Sequence, residues 1–290
     1  CNRKPFFLTR SDVFQHQTLL KFFAYLRMLP IYRIRDGRES LKKNQTVFNQ
    51  CSRLFQKNHA LVIFPEADHN IKRRVRPLSK GFTRILFNTL QKTPELKIHI
   101  IPVGMNYRSN SGFPDKVALY YGKPILFKER SDPKVVRDSG NRIRNAVSDR
   151  LKTLTTHIGD EENYDTLARK LDALSVDYLN PTEANAALKY LDASEDKNAD
   201  PSAPAPLQTF FKGIFTGLNL PIVILWRTWI KPKVWEPEFI GTFRFGFALL
   251  VFPLYYMMLF ASIATIWNGA VGFAVIIGLF LYNWAYVRWN

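Results

Sequence analysis

The sequence predicts an α/β fold, with a mixed and mostly parallel sheet flanked by helices, followed by a C-terminal transmembrane helical hairpin. Short apolar runs alternate with segments of helical periodicity over residues 1–130, a pattern typical of strands joined by crossover helices. No charged residue occurs from Phe245 through Val287, which is long enough for two membrane spans. The 290 residues are 47% apolar, which argues against a disordered or fibrous protein.

The first part of the chain supplies the strands and helices of the α/β domain. Phe6-Phe7-Leu8 predicts a strand, and the apolar run 60–64, stopped by Pro65, predicts a buried one. Apolar residues recur at helical spacing between these strands, first up to Leu29 and then over 41–55, on either side of a short β-branched stretch at 31–34. The later predicted elements are a helix over 79–90, strands over 98–103 and 117–121, and a long basic helix over 133–157.

The second part of the chain predicts helices of a different character. Asn180 can cap a helix that has Pro181 in its first turn, with Glu183 reaching back to the cap. Phe210 and Phe211 begin an apolar helical face that fits a helix in the membrane interface. The predicted domains are an α/β domain at 1–158, an acidic helical segment at 159–193, a linker at 194–206, and the interfacial helix with a two-helix anchor, spans 245–266 and 270–286, at 207–290.

The charge distribution indicates which kinds of molecule the chain binds. Residues 1–158 hold 31 basic and 11 acidic residues, so this half is expected to meet nucleic acid, an anionic membrane or a phosphorylated substrate. The uncharged double span favours a lipid partner, and we see no nucleic-acid-binding motif, so we expect none. Basic residues flank both ends of the double span, which predicts both ends in the cytoplasm. The two cysteines, Cys1 and Cys51, indicate a reducing compartment.

One motif carries chemical information. Phe64-Pro65-Glu66-Ala67-Asp68-His69-Asn70 leaves the end of the apolar run 60–64 and is followed by Lys72, Arg73, Arg74 and Arg76. In open α/β sheets, ligands bind just beyond the carboxyl ends of strands. A glutamate beside several cations at that place fits an anion-binding site, and the alternative is a solvated loop whose charges keep the protein soluble.

Together these residues resemble the glycerol-phosphate acyltransferase family, in particular its 1-acylglycerol-3-phosphate acyltransferase branch. The resemblance rests on the order and spacing of several short blocks over residues 1–130. The matching blocks are Pro30-Ile31-Tyr32-Arg33, Phe64-Pro65-Glu66-Ala67, Lys80-Gly81, Ile100-Ile101-Pro102-Val103 and Tyr121-Gly122-Lys123-Pro124-Ile125. Ala67 departs from the family pattern, which has glycine there.

The resemblance implies a reaction and roles for named residues. It implies acyl transfer from acyl-CoA or acyl carrier protein to a glycerophosphate or lysophospholipid hydroxyl, with no metal and no cofactor. Arg33 is the first choice for binding the substrate phosphate, with Arg73 and Arg74 as weaker choices, because a guanidinium can bind two phosphate oxygens. Glu66 would hold the glycerol hydroxyls or fix the arginines, or else form an ion pair that braces the loop. Lys80 would be a surface or phosphate-proximal charge.

The family's first block, a His-x-x-x-x-Asp pair, has no match in this sequence. None of the five histidines has an aspartate five residues later; His157 with Glu162 comes nearest, and we treat it as coincidence. His69 is expected to be a surface residue. We therefore expect that no catalytic residue lies in this chain, that the chain starts just downstream of the catalytic pair, and that it is inactive by itself.

The expected partners and location follow from the same reading. The donor is acyl-CoA or acyl carrier protein, the acceptor is lysophosphatidic acid or a related lysolipid, and the surface is an anionic membrane. The expected location is the inner membrane, with the α/β domain in the cytoplasm. The alternative is a non-catalytic, membrane-anchored lipid-binding protein.

Overall fold

The structure is a computed structural model that describes residues 4–14, 17–32, 38–66, 70–109, 111–128, 133–191 and 206–289. Its strands are β1 Phe6–Arg10, β2 Met28–Ile31, β3 Leu61–Val62, β4 Ile98–Ile100, β5 Val103–Tyr107, β6 Val117–Tyr121 and β7 Ile125–Phe127. Its helices are α1 Gln17–Tyr25, α2 Arg38–Gln56, α3 Gly81–Lys92, α4 Pro133–Leu154, α5 Tyr164–Ala173, α6 Pro181–Leu188, α7 Pro206–Leu218, α8 Leu220–Leu225, α9 Ile240–Ile266 and α10 Gly269–Trp289. The predicted α/β class, with two apolar C-terminal helices, is confirmed.

A three-stranded parallel sheet stands at the start of the fold, in the order β2-β1-β3. Leu8 of β1 lies opposite Leu29 of β2, and Phe7 lies opposite Val62 of β3. The helices α1 and α2 supply the crossovers that parallel pairing requires. This arrangement places the carboxyl end of β3, where the acidic and basic motif begins, at the edge of a parallel sheet.

The start of β2 differs from the prediction that the first helix continues to Leu29. The helix α1 ends at Tyr25, and Arg27 takes a left-handed backbone conformation with φ of 60°. The Arg27 carbonyl accepts a hydrogen bond of 2.9 Å from the Phe7 amide, so the chain has already turned to pair with β1. Pairing between strands therefore overrides a helical spacing that the apolar residues also satisfy.

The later strands form two-stranded ladders. The predicted single strand over 98–103 is interrupted at Ile101-Pro102, giving β4, which pairs antiparallel with β7, and β5, which pairs with β6. Proline has no amide hydrogen to donate to a ladder, which favours the interruption here. The Pro102 carbonyl still accepts from the Gly122 amide at 2.9 Å, and this bond closes the base of the β5–β6 hairpin.

The chain divides into two compact units, each with its own packing. The first contains Cys1–His69, Arg73–Met105 and Leu119–Gly159; the second contains Asn70–Lys72, Asn106–Ala118 and Asp160–Asn290. In the first unit, α3 lies in the core, with Ile85 and Leu86 almost fully buried. Gly104 admits the end of α4, because a β-carbon there would lie 2.2 Å from the Leu154 carbonyl oxygen.

The second unit carries the acidic helices and the apolar ones. Helix α6 begins as predicted, with the Asn180 side chain accepting from the Glu183 amide and Pro181 in the first turn. Among the residues that the structure describes, two helical stretches are each long and apolar enough to cross a membrane, Pro237–Ile266 and Gly269–Trp289, so the predicted pair is confirmed. The predicted linker falls almost wholly on 192–205, outside the described residues.

Candidate substrate site beyond strand β3

The loop after β3 is closed at both ends by contacts with the core. Ile63 still packs against buried apolar side chains, whereas Phe64 is exposed. The Pro65 carbonyl accepts a hydrogen bond of 2.8 Å from the Ser79 amide. Glu66 therefore leaves the carboxyl end of β3, and residues 73–78 lead back to the start of α3; this is the edge where ligands bind in open α/β sheets.

Glu66 forms an ion pair across this loop. Its Oε2 accepts from Nε of Arg76 at 3.3 Å, and the two side chains are 33% and 21% exposed respectively. The sequence motif includes Arg76, but the cations of this loop that the sequence predicts to bind phosphate, after Arg33 as the first choice, are Arg73 and Arg74. The sequence does not show which of the four neighbouring cations pairs with Glu66, because the pairing depends on the conformation of the loop. The ion pair between Glu66 and Arg76 matches the alternative in which Glu66 stabilises the loop. The role of Glu66 in holding the glycerol hydroxyls stays a prediction.

The middle of the loop is held by hydrogen bonds from a segment far along the chain. The Ile158 amide donates to the Arg73 carbonyl at 2.9 Å, and the Val75 amide donates to Nδ1 of His157 at 3.1 Å. Val75 is itself 7% exposed and belongs to the core, and Nε and Nη1 of Arg74 are buried. The backbone that carries Arg73 and Arg74 is therefore fixed on both sides.

His157 is the residue of this site that the sequence did not identify. Its Nδ1 accepts a hydrogen bond, so the imidazole is held in the neutral form. Burial lowers its pKa below the ordinary value of 6.5, and the positive charges of Lys152 and Arg74 lower it further. The contact joins residues 82 positions apart, and the spacing to Glu162, which drew attention in the sequence, has no part in it.

Further cations stand where the loop meets α3. Lys80 lies at the start of α3 with an exposed side chain, and its carbonyl accepts from the Thr83 hydroxyl at 3.0 Å. Arg144, from α4, donates to the Leu78 carbonyl at 3.1 Å. The amino-terminal end of a helix also carries a partial positive charge. The loop edge is therefore rich in positive charge, with Glu66 as the carboxylate among the described residues 66 and 73–80.

Several predicted site residues lie outside the described residues. These are Arg33, the first choice for phosphate, and Ala67, Asp68 and His69 of the acidic motif. Of the other candidates, the structure places Glu66, Arg73 and Arg74 on one braced loop and Lys80 at its end. Within the described part of the chain, no three histidine, cysteine or carboxylate side chains come together as metal ligands would. Arg73, Arg74 and Lys80 give this loop a positive charge that suits an anion such as phosphate.

Comparison with known proteins relates the same part of the chain to one family. Residues 1–106 match the Acyltransferase family. Glycerol-3-phosphate O-acyltransferase 1 of Saccharomyces cerevisiae is 26% identical over 110 residues, which cover 36% of this chain and 14% of that protein. An uncharacterized acyltransferase of Schizosaccharomyces pombe is 26% identical over 120 residues, which cover 40% of this chain and 18% of that protein. The chain therefore spans less than a fifth of either relative's length.

Among solved structures, the chain is similar to the crystal structure of the 1-acyl-sn-glycerophosphate acyltransferase from Thermotoga maritima. The sequence identity is 14% and the TM-score is 0.30, over 50% of this chain and 56% of that one.

Proposed function

We propose that this chain belongs to the glycerol-phosphate acyltransferase family and serves glycerolipid acyl transfer at a membrane, because residues 1–106 match the Acyltransferase family and residues of this chain align with a glycerol-3-phosphate O-acyltransferase. The observation that carries the proposal is the match of residues 1–106 to the Acyltransferase family, which agrees with the resemblance in the order of the sequence motifs. The structure adds a reason for the motif Phe64-Pro65-Glu66, because it begins the loop at the carboxyl end of β3 that carries the cations.

The proposed reaction moves an acyl group from a thioester, acyl-CoA or acyl carrier protein, to a free hydroxyl of a glycerophosphate or lysophospholipid. The hydroxyl oxygen attacks the thioester carbonyl, its proton passes to a base, and the thiol leaves. Arg33, Arg73 and Arg74 are proposed to bind the acceptor phosphate, with Lys80 close to it. The braced backbone of Arg73 and Arg74 supports this role, because the backbone that carries the two cations need not be ordered when an anion binds.

The residues present suit binding better than proton removal. In the family this resemblance implies, the base is a histidine oriented by an aspartate five residues later, and the sequence contains no such pair. We therefore propose that the 290 residues by themselves transfer acyl groups poorly, since general-base assistance is worth about 10²–10⁴ in rate. The proposed location is the inner membrane, with the α/β domain on its cytoplasmic face.

An acyl-transfer assay tests the proposal on both the 290-residue polypeptide and the complete product of its gene, with lysophosphatidic acid and acyl-CoA or acyl carrier protein. In the complete protein, Arg33→Ala should mainly raise the KM for the acceptor, because it removes a phosphate cation. Glu66→Ala should raise KM and lower kcat, because it releases Arg76 as well. Arg84→Ala, which removes an exposed arginine of α3, is the matched control and should change neither.

The outcomes separate the alternatives. Full activity of the 290-residue polypeptide would contradict the proposal that these residues lack the general base. Unchanged kinetics in Arg33→Ala would remove Arg33 from the site. A complete gene product that binds lysophosphatidic acid but transfers no acyl group would favour the lipid-binding alternative.

A further inference from the structure

The helices that precede the two apolar spans are sharply broken. Leu207–Leu218 and Leu220–Lys233 meet at an angle of 91° around Asn219. At 1.5 Å per residue they are about 18 and 21 Å long, whereas the hydrocarbon core is about 30 Å thick. Neither piece is long enough to cross a membrane alone, and a helix lying flat in the interface does not need such a break.

The residue at the break, Asn219, is polar and completely buried. Asn219 has no exposed surface, and its side chain exchanges two hydrogen bonds with the side chain of Asn283 on α10, at 2.8 and 3.0 Å. The Asn283 amide also donates to the Tyr256 hydroxyl of α9 at 3.0 Å. A reciprocal pair of amides between apolar helices holds them in one register, since either amide alone would be costly to bury there.

Three carbonyl groups of α7 accept hydrogen bonds from side chains, and one of them, that of Phe215, also accepts from the Asn219 backbone amide at 3.2 Å. The Asn219 side chain donates to the Phe215 carbonyl at 2.9 Å, and the Tyr255 hydroxyl of α9 donates to the Leu218 carbonyl at 3.0 Å. Tyr282 of α10 likewise donates to the Phe211 carbonyl, at 3.0 Å. A helix end in water has no need of such donors, whereas broken helices inside a bilayer must have their freed backbone groups satisfied by neighbouring protein.

The charges fit an element whose centre is in lipid and whose ends are not. Residues 213–226, which contain the break, carry no charge, whereas Lys212 precedes them and Arg227, Lys231 and Lys233 follow. The Lys233 ammonium lies 5.2 Å from the ring centre of Trp229, a pair that suits the headgroup region. Leu220 and Ile224, close to the break, are 47% and 52% exposed in the protein alone. Acyl chains would cover these side chains.

We propose that residues 207–233 form a re-entrant membrane element. It enters the leaflet that faces the basic flanks of the two spans, turns at Asn219 against α9 and α10, and leaves on the same side. The acyl chains of that leaflet are the partner of its exposed apolar face, and the Asn219–Asn283 pair is the contact that holds it in place. The proposal concerns the membrane part of the chain and stands independently of the acyl-transfer reaction.

Single cysteines in the full chain test the topology, in a background with Cys1→Ser and Cys51→Ala. A membrane-impermeant maleimide is applied to spheroplasts and to inverted membrane vesicles of a bacterial host. Cysteines at Gln208 and Glu236 should react from the same side as one at Arg288. A cysteine at Leu220 should react at least tenfold more slowly in intact membranes than after detergent solubilisation.

Two outcomes would overturn the proposal. Labelling at Gln208 and Glu236 from opposite sides would make the broken helix a third span. Fast labelling at Leu220 from the aqueous side in intact membranes would make it a surface helix.

A leucine variant tests whether the Asn219–Asn283 pair holds the break in place. Asn283→Leu should raise the labelling rate at Leu220→Cys in intact membranes, because the break loses its partner. Ser262→Ala is the matched control on α9, since the Ser262 hydroxyl bonds to the Met258 carbonyl of its own helix. Equal rates in Asn283→Leu and in Ser262→Ala would refute the locking role. The cysteine variants keep both asparagines, so the topology test stands even if Asn283→Leu fails to insert.

Discussion

The Cys51 thiol lies in the middle of α2 with no exposed surface, in the same apolar cluster as Leu8, Leu29 and Ile85. Burial raises its pKa to about 12. The thiol is therefore almost entirely protonated at pH 8, and since the thiolate is the reactive form, Cys51 should react slowly with alkylating reagents.

In a Cys1→Ser variant at pH 8, we therefore expect iodoacetamide to leave Cys51 unmodified in the folded protein and to modify it completely in denaturant. Mass spectrometry of the quenched samples measures the difference. Rapid modification without denaturant would show that this cluster opens readily.

His157 should make stability depend on pH in a defined direction. Its Nδ1 accepts from the Val75 amide, and its pKa in the folded state is lowered chiefly by burial. A group whose pKa is depressed on folding binds more protons when unfolded, so its contribution is complete above pH 6.5 and is lost as the pH falls through the folded pKa.

We expect denaturant unfolding in detergent to show a stability loss below pH 6.5 that His157→Asn reduces, because asparagine keeps an acceptor but does not titrate. His99→Asn replaces an exposed histidine of β4 and serves as the control. If the stability of His157→Asn and of His99→Asn depends on pH as that of the unaltered chain does, the contact between His157 and Val75 is not the cause of the stability loss below pH 6.5.

At the scale of elements, α2 and α3 are joined by a polar contact inside an apolar interface. The hydroxyl groups of Ser52 and Thr89 lie 2.9 Å apart, with the residues 1% and 0% exposed. Asn88 donates to the Ser52 hydroxyl at 2.9 Å. Each hydroxyl also bonds to a carbonyl of its own helix, Ser52 to Phe48 at 3.0 Å and Thr89 to Ile85 at 2.8 Å, so neither is left unsatisfied when the other is removed. The contact between them is then worth the net contribution of one hydrogen bond, about 0.5–1.5 kcal/mol.

A double-mutant cycle with Ser52→Ala and Thr89→Val should therefore show a coupling of about 1 kcal/mol in the free energy of unfolding. Gln56, the last residue of α2, donates to the hydroxyl of Thr93, the residue that follows α3, at 2.7 Å and at an exposed position. The cycle of this pair is the control and should give a coupling near zero. Equal coupling in both cycles would mean that burial does not strengthen the Ser52–Thr89 contact.

The basic residues that flank the spans set the orientation expected of the whole molecule. Arg244 precedes the uncharged stretch 245–287 and Arg288 follows it, while the turn at Trp267-Asn268-Gly269 carries no charge. By the positive-inside rule, both ends of the hairpin should face the cytoplasm. A reporter fused after Asn290 should then be active as a cytoplasmic fusion and protected from external protease.

The same reporter inserted at Asn268 should face the opposite side. A reporter after Asn290 that external protease removes from intact cells would reverse the orientation.

The sequence by itself determined the features that depend on local spacing and composition. The uncharged stretch 245–287, the alternation of strands and helices, the Asn180 cap and the order of the family motifs all appear within windows of a few residues. Spacing along one helix or strand decides which side chains share a face, so such features need no knowledge of the rest of the chain. The family resemblance rests on motifs of this kind, of which Phe64-Pro65-Glu66-Ala67 is one.

Tertiary structure decided the contacts between distant parts of the chain. Pairing with β1 begins β2 at Met28, although helical spacing runs on to Leu29. The partner of Glu66 is Arg76, and the loop is clamped by His157, 82 residues beyond Val75. The Asn219–Asn283 pair joins residues 64 positions apart. Such contacts form because folding brings together backbone and side-chain groups that must each be satisfied once buried, and no local pattern says which group will meet which.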